Sequence, residues 1–570
     1  MIVEPRGKGK KMQKKNILAF VVIALISFVV IFAVISSTNS NDDTAVMTVD
    51  QANKKLAKYL NKIDVSNIPA RKANVELEET DLKEELPDIS KYPLSVEGNA
   101  DIVIEIFSSP EKAGEGSDSW LSTMAKEFNK QDNKVDGKTV AISVRSIASG
   151  LGTDYIISGK YLPDAFTPSN DLWGKIIEAE GADISVVTDR MVGNVAGVLL
   201  TKSVVNDITK NYGEVNMKTI TQATADNRIA MGYTNPLSSS AGMNFLLSTL
   251  NAYDSSDILS ETAIEGFQQF QTNVPFVAYT TLQMRESAKS GSLTGMIIEY
   301  QLYKNDTDLR TQYEFIPYGV RHDNPLYAIG KLSKDKKEAM DLFVSYCETK
   351  ESQELATKYG FNGMDDYESS FPEYDGSTII SAQKLWKENK DSGRSITAVF
   401  VADVSGSMSG EPLNQLKTSL INGSKYINNE NSIGLVSYDS KVYVNLPIAK
   451  FDLNQRSLFT GAVTDLQEGG ATASFDALTV ALNMLLEEKA KNPDTKLMLF
   501  LLSDGETNSG LSMKKITGIL KTYKIPVYTI GYNADIEALE TISSINEAAS
   551  INADSDDVVY KLKNLFDAQM

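Results

Sequence analysis

From Ile396 to the last residue, short apolar runs alternate with amphipathic ones, and few folds accept that order. Ile396 to Asp403 is nearly all apolar, as a parallel strand covered on both faces must be. Leu413, Leu416, Leu420 and Ile427 then recur at helical spacing over Leu413 to Asn428. Strands are expected at Ile433 to Tyr438 and Val442 to Leu446, a helix at Phe475 to Lys489 and a strand at Lys496 to Ser503. A helix at Met513 to Thr522, a strand at Val527 to Gly531 and terminal helices complete the series. Parallel strands need crossovers long enough to hold a helix, so the pattern predicts α/β architecture with a doubly wound, Rossmann-like open sheet over residues 394–570.

In open sheets of this kind, ligands bind beyond the carboxyl ends of the strands. Three loops reach such ends: Asp403-Val404-Ser405-Gly406-Ser407, Gly469-Gly470-Ala471-Thr472 and Ser503-Asp504-Gly505. They offer carboxylates and hydroxyls but no thiolate or imidazole. Hard divalent cations take such oxygen donors, Mg²⁺ in octahedral geometry and partly through water. An open coordination position can then accept a carboxylate from another protein.

This constellation closely resembles the metal-ion-dependent adhesion site (MIDAS) of the von Willebrand factor A (VWA) family. Asp403, Ser405 and Ser407 match the family's Asp-x-Ser-x-Ser core, Thr472 its distal threonine and Asp504 its later aspartate. The resemblance covers about 175 residues with all three loops in order. It implies a metal site of Asp403, Ser405, Ser407, Thr472 and Asp504, holding Mg²⁺ or, in its place, Mn²⁺ or Ca²⁺. Gly-Gly-Thr is commoner at the second loop; here Ala471 intervenes, so Ser474 is an alternative ligand to Thr472. Glu506 reads as a solvated loop acid.

Strand and helix patterns also alternate from Ala100 to about Gly363. Strands are expected at Asp101 to Phe107, Lys138 to Ser146 and Asn194 to Leu200, with helices at Ser119 to Asn129 and Lys334 to Tyr359. In order along this segment come Ser108-Ser109, Ile147-Ala148-Ser149-Gly150-Leu151-Gly152, Pro163 to Asn170, and Tyr233-Thr234-Asn235-Pro236-Leu237-Ser238-Ser239-Ser240-Ala241-Gly242. Together they resemble the two-lobed, type II solute-binding proteins of bacterial ABC transporters, which implies two α/β lobes over residues 98–375. Ser108, Ser109, Ser149, Ser239 and Ser240 stand at strand ends or helix starts, where free N–H groups attract anions. They are candidate ligands for a small polar or anionic solute; the plainer reading of each is an N-cap. Trp173 and Tyr300 are candidate cleft-lining aromatics. A helix at Ser381 to Glu388 and a boundary near Ser392-Gly393 make residues 376–393 a connecting helix and linker.

The amino-terminal end reads as a membrane anchor. Arg6, Lys8, Lys10, Lys11, Lys14 and Lys15 precede the uncharged run Ile17 to Ile35. About 20 apolar residues span a bilayer, and a basic flank stays cytoplasmic. Residues 1–15 are therefore expected as a cytoplasmic tail, 16–37 as a single-pass transmembrane helix and 38–97 as an extracellular stalk with one helix near Ala52 to Ile63. A cleaved signal peptide is the rival reading, with a shorter apolar region of about 7–15 residues.

Function classes narrow by elimination. A net charge of −19 disfavours nucleic acid as a partner. One cysteine, Cys347, permits no internal disulfide, and its apolar helical setting predicts a core thiol. One histidine, His322, excludes multi-histidine metal sites; Arg321 to Pro325 reads as a surface loop. With no nucleophile–base pair near the metal loops, no enzyme is expected. The expected function is metal-dependent binding of a protein partner, in adhesion or assembly on the bacterial cell envelope. The alternative is a solute receptor of the ABC-transporter type.

Overall fold

The structure is a computed structural model. It describes residues 43–75, 81–274, 276–278, 284, 293–369, 371–392, 394–505, 507–532, 539, 543, 550–553 and 558–570. The expected tail and transmembrane helix, Gly393 and Glu506 lie outside the described residues. Among the described residues no helix is long and apolar enough to cross a membrane.

Three sheets organise the described residues. The carboxyl-terminal sheet has the order Val65–Asn67, Val442–Lys450, Ser432–Tyr438, Ile396–Asp403, Lys496–Ser503, Val527–Tyr532, Ser550–Ala553. Its pairs are parallel except that of Ser432–Tyr438 with Val442–Lys450. Alternation of side chains sends Phe400, Phe500 and Tyr528 to one face with Leu413, Leu416, Phe459 and Phe566. Val399, Val401, Leu499 and Leu501 go to the other, against Leu478, Leu482 and Ile516. Helices thus cover both faces, as the doubly wound reading requires.

The first strand of that sheet comes from the other end of the protein. Val65 pairs with Val442 and Asn67 with Val444. Just before it, the helix Val49–Leu60 opens with Thr48 in a reciprocal capping box with Gln51. That helix buries Ala52, Leu56 and Tyr59 in the same apolar layer as Leu478 and Ile516. Residues 49–67 are therefore built into the carboxyl-terminal domain, whereas a free stalk was expected there. The physical reason is an open sheet edge at Val442–Lys450, which an extended segment covers.

The middle segment forms two lobes, each on its own sheet. One has the order Leu94–Val96, Lys138–Ser146, Ile102–Ser108, Ala165–Thr167, Leu326–Ile329, Ile184–Thr188. The other has Phe276–Ala278, Met231–Thr234, Gly295–Glu299, Val195–Thr201, Tyr313–Arg321. The expected helix from Lys334 to Tyr359 is two, Lys334–Cys347 and Lys350–Lys358. Thr349 starts the second by accepting a hydrogen bond from the Ser352 amide. Cys347 is fully buried, as expected of a core thiol. The connecting helix, Gly376–Asn389, packs on the helix Leu172–Ala179 of the first lobe and on Ser240–Tyr253 of the second. Its Trp386 Nε1 donates to the Tyr233 hydroxyl at 2.7 Å.

Candidate metal centre and lobe junction

Three neighbouring strands of the carboxyl-terminal sheet end at one level, because Asp403 pairs with Tyr438 and Ala402 with Leu502. Asp403, Tyr438 and Ser503 consequently close their strands side by side. Asp403 Oδ2 accepts hydrogen bonds from Ser503 Oγ at 2.6 Å and from the Tyr438 hydroxyl at 3.1 Å. Its Oδ1 accepts from the Ser405 amide at 2.8 Å. Beyond the strand ends, Ser405 Oγ lies 3.1 Å from Ser407 Oγ, and Ser407 Oγ donates to Asp504 Oδ1 at 3.1 Å.

The second loop meets the first where the Gly406 amide donates to the Gly470 carbonyl at 3.1 Å. Gly470 has φ +65°, and a Cβ there would lie 2.5 Å from Ser440 Oγ, so this turn requires glycine. Thr472 follows, nearly buried, its amide donating to Asn508 Oδ1 at 2.8 Å. The Asn508 and Ser509 amides donate in turn to the Thr472 carbonyl. Ser474, the alternative ligand, instead donates to the Tyr438 hydroxyl at 3.1 Å and is 2% exposed. The structure thus joins Ser405, Ser407 and Asp504 directly, attaches Asp403 beneath them and holds Thr472 on the adjoining loop.

The electrostatics suit a cation. Burial lifts the Asp403 carboxyl above the usual carboxylate range, and the Asp504 charge adds to the lift. Hydrogen bonds from Ser405 and Ser503 oppose it. Among the described residues no Lys, Arg or His pairs with Asp403 or Asp504. Neither does any group of three or more His, Cys, Asp or Glu side chains converge among them. A site here must therefore rest on hydroxyls as much as on carboxylates, which is the chemistry of a hard cation. Tyr438 and Asn508 are partners that the loop sequences do not announce; Ser503, which stands in the third loop beside Asp504, serves here to orient Asp403.

At the lobe junction, all five candidate serines are buried. They fall into two groups. Ser109 Oγ accepts from Lys112 Nζ at 2.8 Å and from Ser169 Oγ at 3.2 Å, and Ser108 Oγ donates to the Ser109 carbonyl at 3.3 Å. Across the junction, Ser240 Oγ donates to Ser149 Oγ at 3.2 Å and accepts from Trp173 Nε1 at 2.9 Å. Ser239 caps its helix through the Gly242 amide and accepts from Thr234 Oγ1. The Gly150 amide donates to the Ser238 carbonyl at 3.1 Å, so the two lobes touch backbone to backbone. Trp173 lines this junction; Tyr300 packs instead on Phe315, ring centres 5.3 Å apart.

Next to these serines lies a buried polar network that the sequence reading missed. His322, expected on a surface loop, is fully buried. The strand Tyr313–Arg321 delivers it between the lobes, where Nδ1 lies 2.7 Å from Glu299 Oε1. Its Nε2 lies 3.0 Å from Asn170 Nδ2 and 3.1 Å from Asn244 Nδ2. Lys112 is also fully buried, and burial pushes its ammonium down to about 7 against the pull of Glu111 and Glu299. Isolated apolar or polar runs carry no signal for such a network; a lysine three residues after Ser109 was its one visible member.

Comparison with known proteins agrees with both halves. Residues 398–568 match the family model of the von Willebrand factor type A domain, and residues 113–362 that of the bacterial extracellular solute-binding protein. Inter-alpha-trypsin inhibitor heavy chain H3 of Bos taurus is 29% identical over 175 residues, 28% of this chain and 19% of the relative. An uncharacterized protein of Synechocystis is 26% identical over 152 residues, 25% of this chain and 34% of that protein. The chain thus spans about a fifth and about a third of the length of these relatives. Among solved structures, a von Willebrand factor type A protein from Catenulispora acidiphila aligns with TM-score 0.28 and 16% identity, covering 30% of this chain and 42% of that one. The sulfate-binding protein SubI of Mycobacterium tuberculosis aligns with TM-score 0.34 and 16% identity, covering 50% of this chain and 91% of that one. The chain carries a bacterial solute-binding-like domain followed by a domain of the von Willebrand factor A type.

Proposed function

We propose that this protein is a membrane-anchored, extracytoplasmic binding protein whose carboxyl-terminal domain takes a divalent cation, Mg²⁺ foremost, and through it an acidic residue of a protein partner. One observation carries the reading: the buried Asp403 carboxylate and Asp504 stand beside Ser405 and Ser407, and among the described residues no cationic side chain pairs with either. Asp403, Ser405, Ser407, Thr472 and Asp504 would hold the ion. When bound, the ion supplies the positive charge that an incoming carboxylate needs. Tyr438 and Ser503 orient Asp403 from below, and the backbone clasp between Thr472 and Asn508 fixes the second loop. The anchor rests on the basic, then uncharged, run at residues 6–35.

The test is capture of partners from cell-surface extracts by the full chain in Mg²⁺, in chelator, and as Asp403→Ala. A protein retained only by metal-loaded wild type is the expected outcome. Retention that ignores both chelator and substitution would remove the metal from the binding role.

A second reading has its own observation. Ser149 and Ser240 face each other across the lobe junction beside Trp173, and Lys112 lies buried by Ser109. A small anionic solute entering between opened lobes would meet those hydroxyls and that ammonium. Solute capture by this domain is compatible with partner binding by the other. A solute-dependent rise in melting temperature, lost in Ser240→Ala, distinguishes it.

A further inference from the structure

The two domains and the segment that links them line an open cleft of about 340 Å³, at the start of the strands Lys496–Ser503 and Val527–Tyr532 and so at the opposite end of the sheet from the metal loops. Lys390 and Asp391 line it from the linking segment, and Arg394 as the first residue of the carboxyl-terminal domain. Lys489, Lys496 and Lys524 line it from the carboxyl-terminal domain, and Gln271 and Thr272 from the middle one. Five cationic residues and one acidic residue therefore line it among the described residues, in a protein whose net charge is −19. Asp391 lies 3.6 Å from Lys496 and 3.9 Å from Lys390, and it is the one acid of the lining among the described residues. Lys390 is 4% exposed. Arg394 NH2 donates to the Thr272 carbonyl at 3.2 Å. Its Nε is shut off from solvent and has no hydrogen-bond partner among the described residues. An unsatisfied buried guanidinium nitrogen is unfavourable.

Like charges packed this closely repel. Lys489 and Lys496 both sit below the ordinary lysine range, chiefly through burial. The Arg394 charge lowers both further, and the Lys390 charge lowers Lys496; Asp391 and Asp494 pull the other way. A multiply charged anion would relieve the repulsion. Guanidinium and ammonium groups lining one cleft suit the tetrahedral, multi-acceptor phosphoryl group, although Lys489 Nζ now donates to the Thr495 carbonyl and Lys390 Nζ to that of Phe566. The volume exceeds what a single inorganic ion needs and falls at the low end for organic ligands, about 300–1,000 Å³. Val274, Val277 and Tyr528 offer an apolar wall for the organic part.

We propose that this seam is a binding site for a small organic phosphate, held by Lys390, Arg394, Lys489, Lys496 and Lys524 and touching both domains at once. A ligand there ties the solute-binding-like domain to the metal-binding one. It is independent of the metal reading, since no residue is shared.

The experiment titrates inorganic pyrophosphate, inorganic phosphate and citrate into the purified full chain at low ionic strength without divalent metal. Heat of binding and melting temperature are both read. Pyrophosphate should bind and raise the melting temperature, and citrate should bind at least about tenfold more weakly. Arg394→Gln with Lys496→Gln should abolish the effect. Lys524→Asn, at an exposed residue with φ +53° that asparagine tolerates, should weaken it without disturbing the core. Citrate equal to pyrophosphate would overturn the phosphoryl assignment. No binding by any of the three anions, or equal binding by wild type and Lys524→Asn, would overturn the site.

Discussion

Ser407 Oγ lies 3.1 Å from Asp504 Oδ1 although 97 positions of chain separate the two residues. The strands Ile396–Asp403 and Lys496–Ser503 run parallel and adjacent, so their exit loops emerge together. Asp504→Ala removes a carboxylate from the pair with Asp403, whose ionised form the Asp504 charge disfavours. Two effects of opposite sign follow. Mg²⁺ affinity should fall by more than the roughly 10–100-fold typical of partners behind metal ligands. Without metal, the melting temperature should hold or rise, because a like-charge repulsion is gone. Calorimetric titration and thermal melting check the two. Unchanged Mg²⁺ affinity in Asp504→Ala would sink the metal assignment.

Thr472 and Ser474 separate by the same kind of argument. Ser474 is tied to Tyr438 and through it to Asp403, well inside the domain. Thr472 sits on the loop that Gly406 joins to the Asp403–Ser407 turn. Thr472→Ala should weaken Mg²⁺ binding with little change in stability. Ser474→Ala should cost about 1 kcal/mol of stability, the usual worth of a buried hydrogen bond, while Mg²⁺ still binds. A reversal of these two outcomes, read by melting and titration, would make Ser474 the ligand.

Local pattern carried most of the fold, and its failures share one cause. The strands Lys138–Ser146 and Lys496–Ser503 begin and end where their apolar runs do. The metal loops were legible because each lies next to a strand end that its own residues announce. His322 was read as a loop residue, since Arg321 to Pro325 is polar and ends in proline; only the pairing with Glu299, Asn170 and Asn244 buries it. Residues 49–67 likewise look like a short helix and a tail until the edge at Val442 is in place. Contacts between segments hundreds of positions apart leave no local mark. The same holds for the cationic seam, whose members are scattered from Lys390 to Lys524.

The amino-terminal segment should contribute measurably to the stability of the carboxyl-terminal domain. After the strand Val65–Asn67, the Ala73 amide donates to the Ser457 carbonyl and Ser457 Oγ donates to the Ala73 carbonyl at 2.6 Å. Arg71 forms a two-pronged pair with Asp465, Nε to Oδ2 at 2.7 Å. That pair is exposed, 58% and 48%, so Arg71→Ala should leave stability almost unchanged. Gly461 is the sharper probe. A Cβ there would lie 1.9 Å from the Arg71 carbonyl oxygen, which is backbone and cannot step aside alone. Gly461→Ala should therefore cost about 1–3 kcal/mol, seen as a lowered melting temperature of the full chain and faster amide exchange in residues 65–73. Equal melting temperatures for Gly461→Ala and wild type would mean that this segment does not hold the edge.

Lys112 should leave a signature in the pH dependence of stability. Its ammonium is pushed from the ordinary value of 10.5 down to about 7 by burial. Between those values the unfolded chain keeps the proton that the folded chain has released. Stability contributed by this group therefore rises as pH climbs from about 7 toward 10.5, and is flat below about 7. Lys112→Met lacks the group and should lack the rise. It also loses the bonds from Nζ to Ser109 Oγ and to the Thr167 carbonyl, so it should be less stable throughout. The decisive quantity is the difference in melting temperature between wild type and Lys112→Met, measured from pH 7 to pH 10. It should widen with pH. A constant difference would place the proton on the folded-state lysine across that range, and the ammonium would then be held charged by Glu111 and Glu299 in spite of its burial.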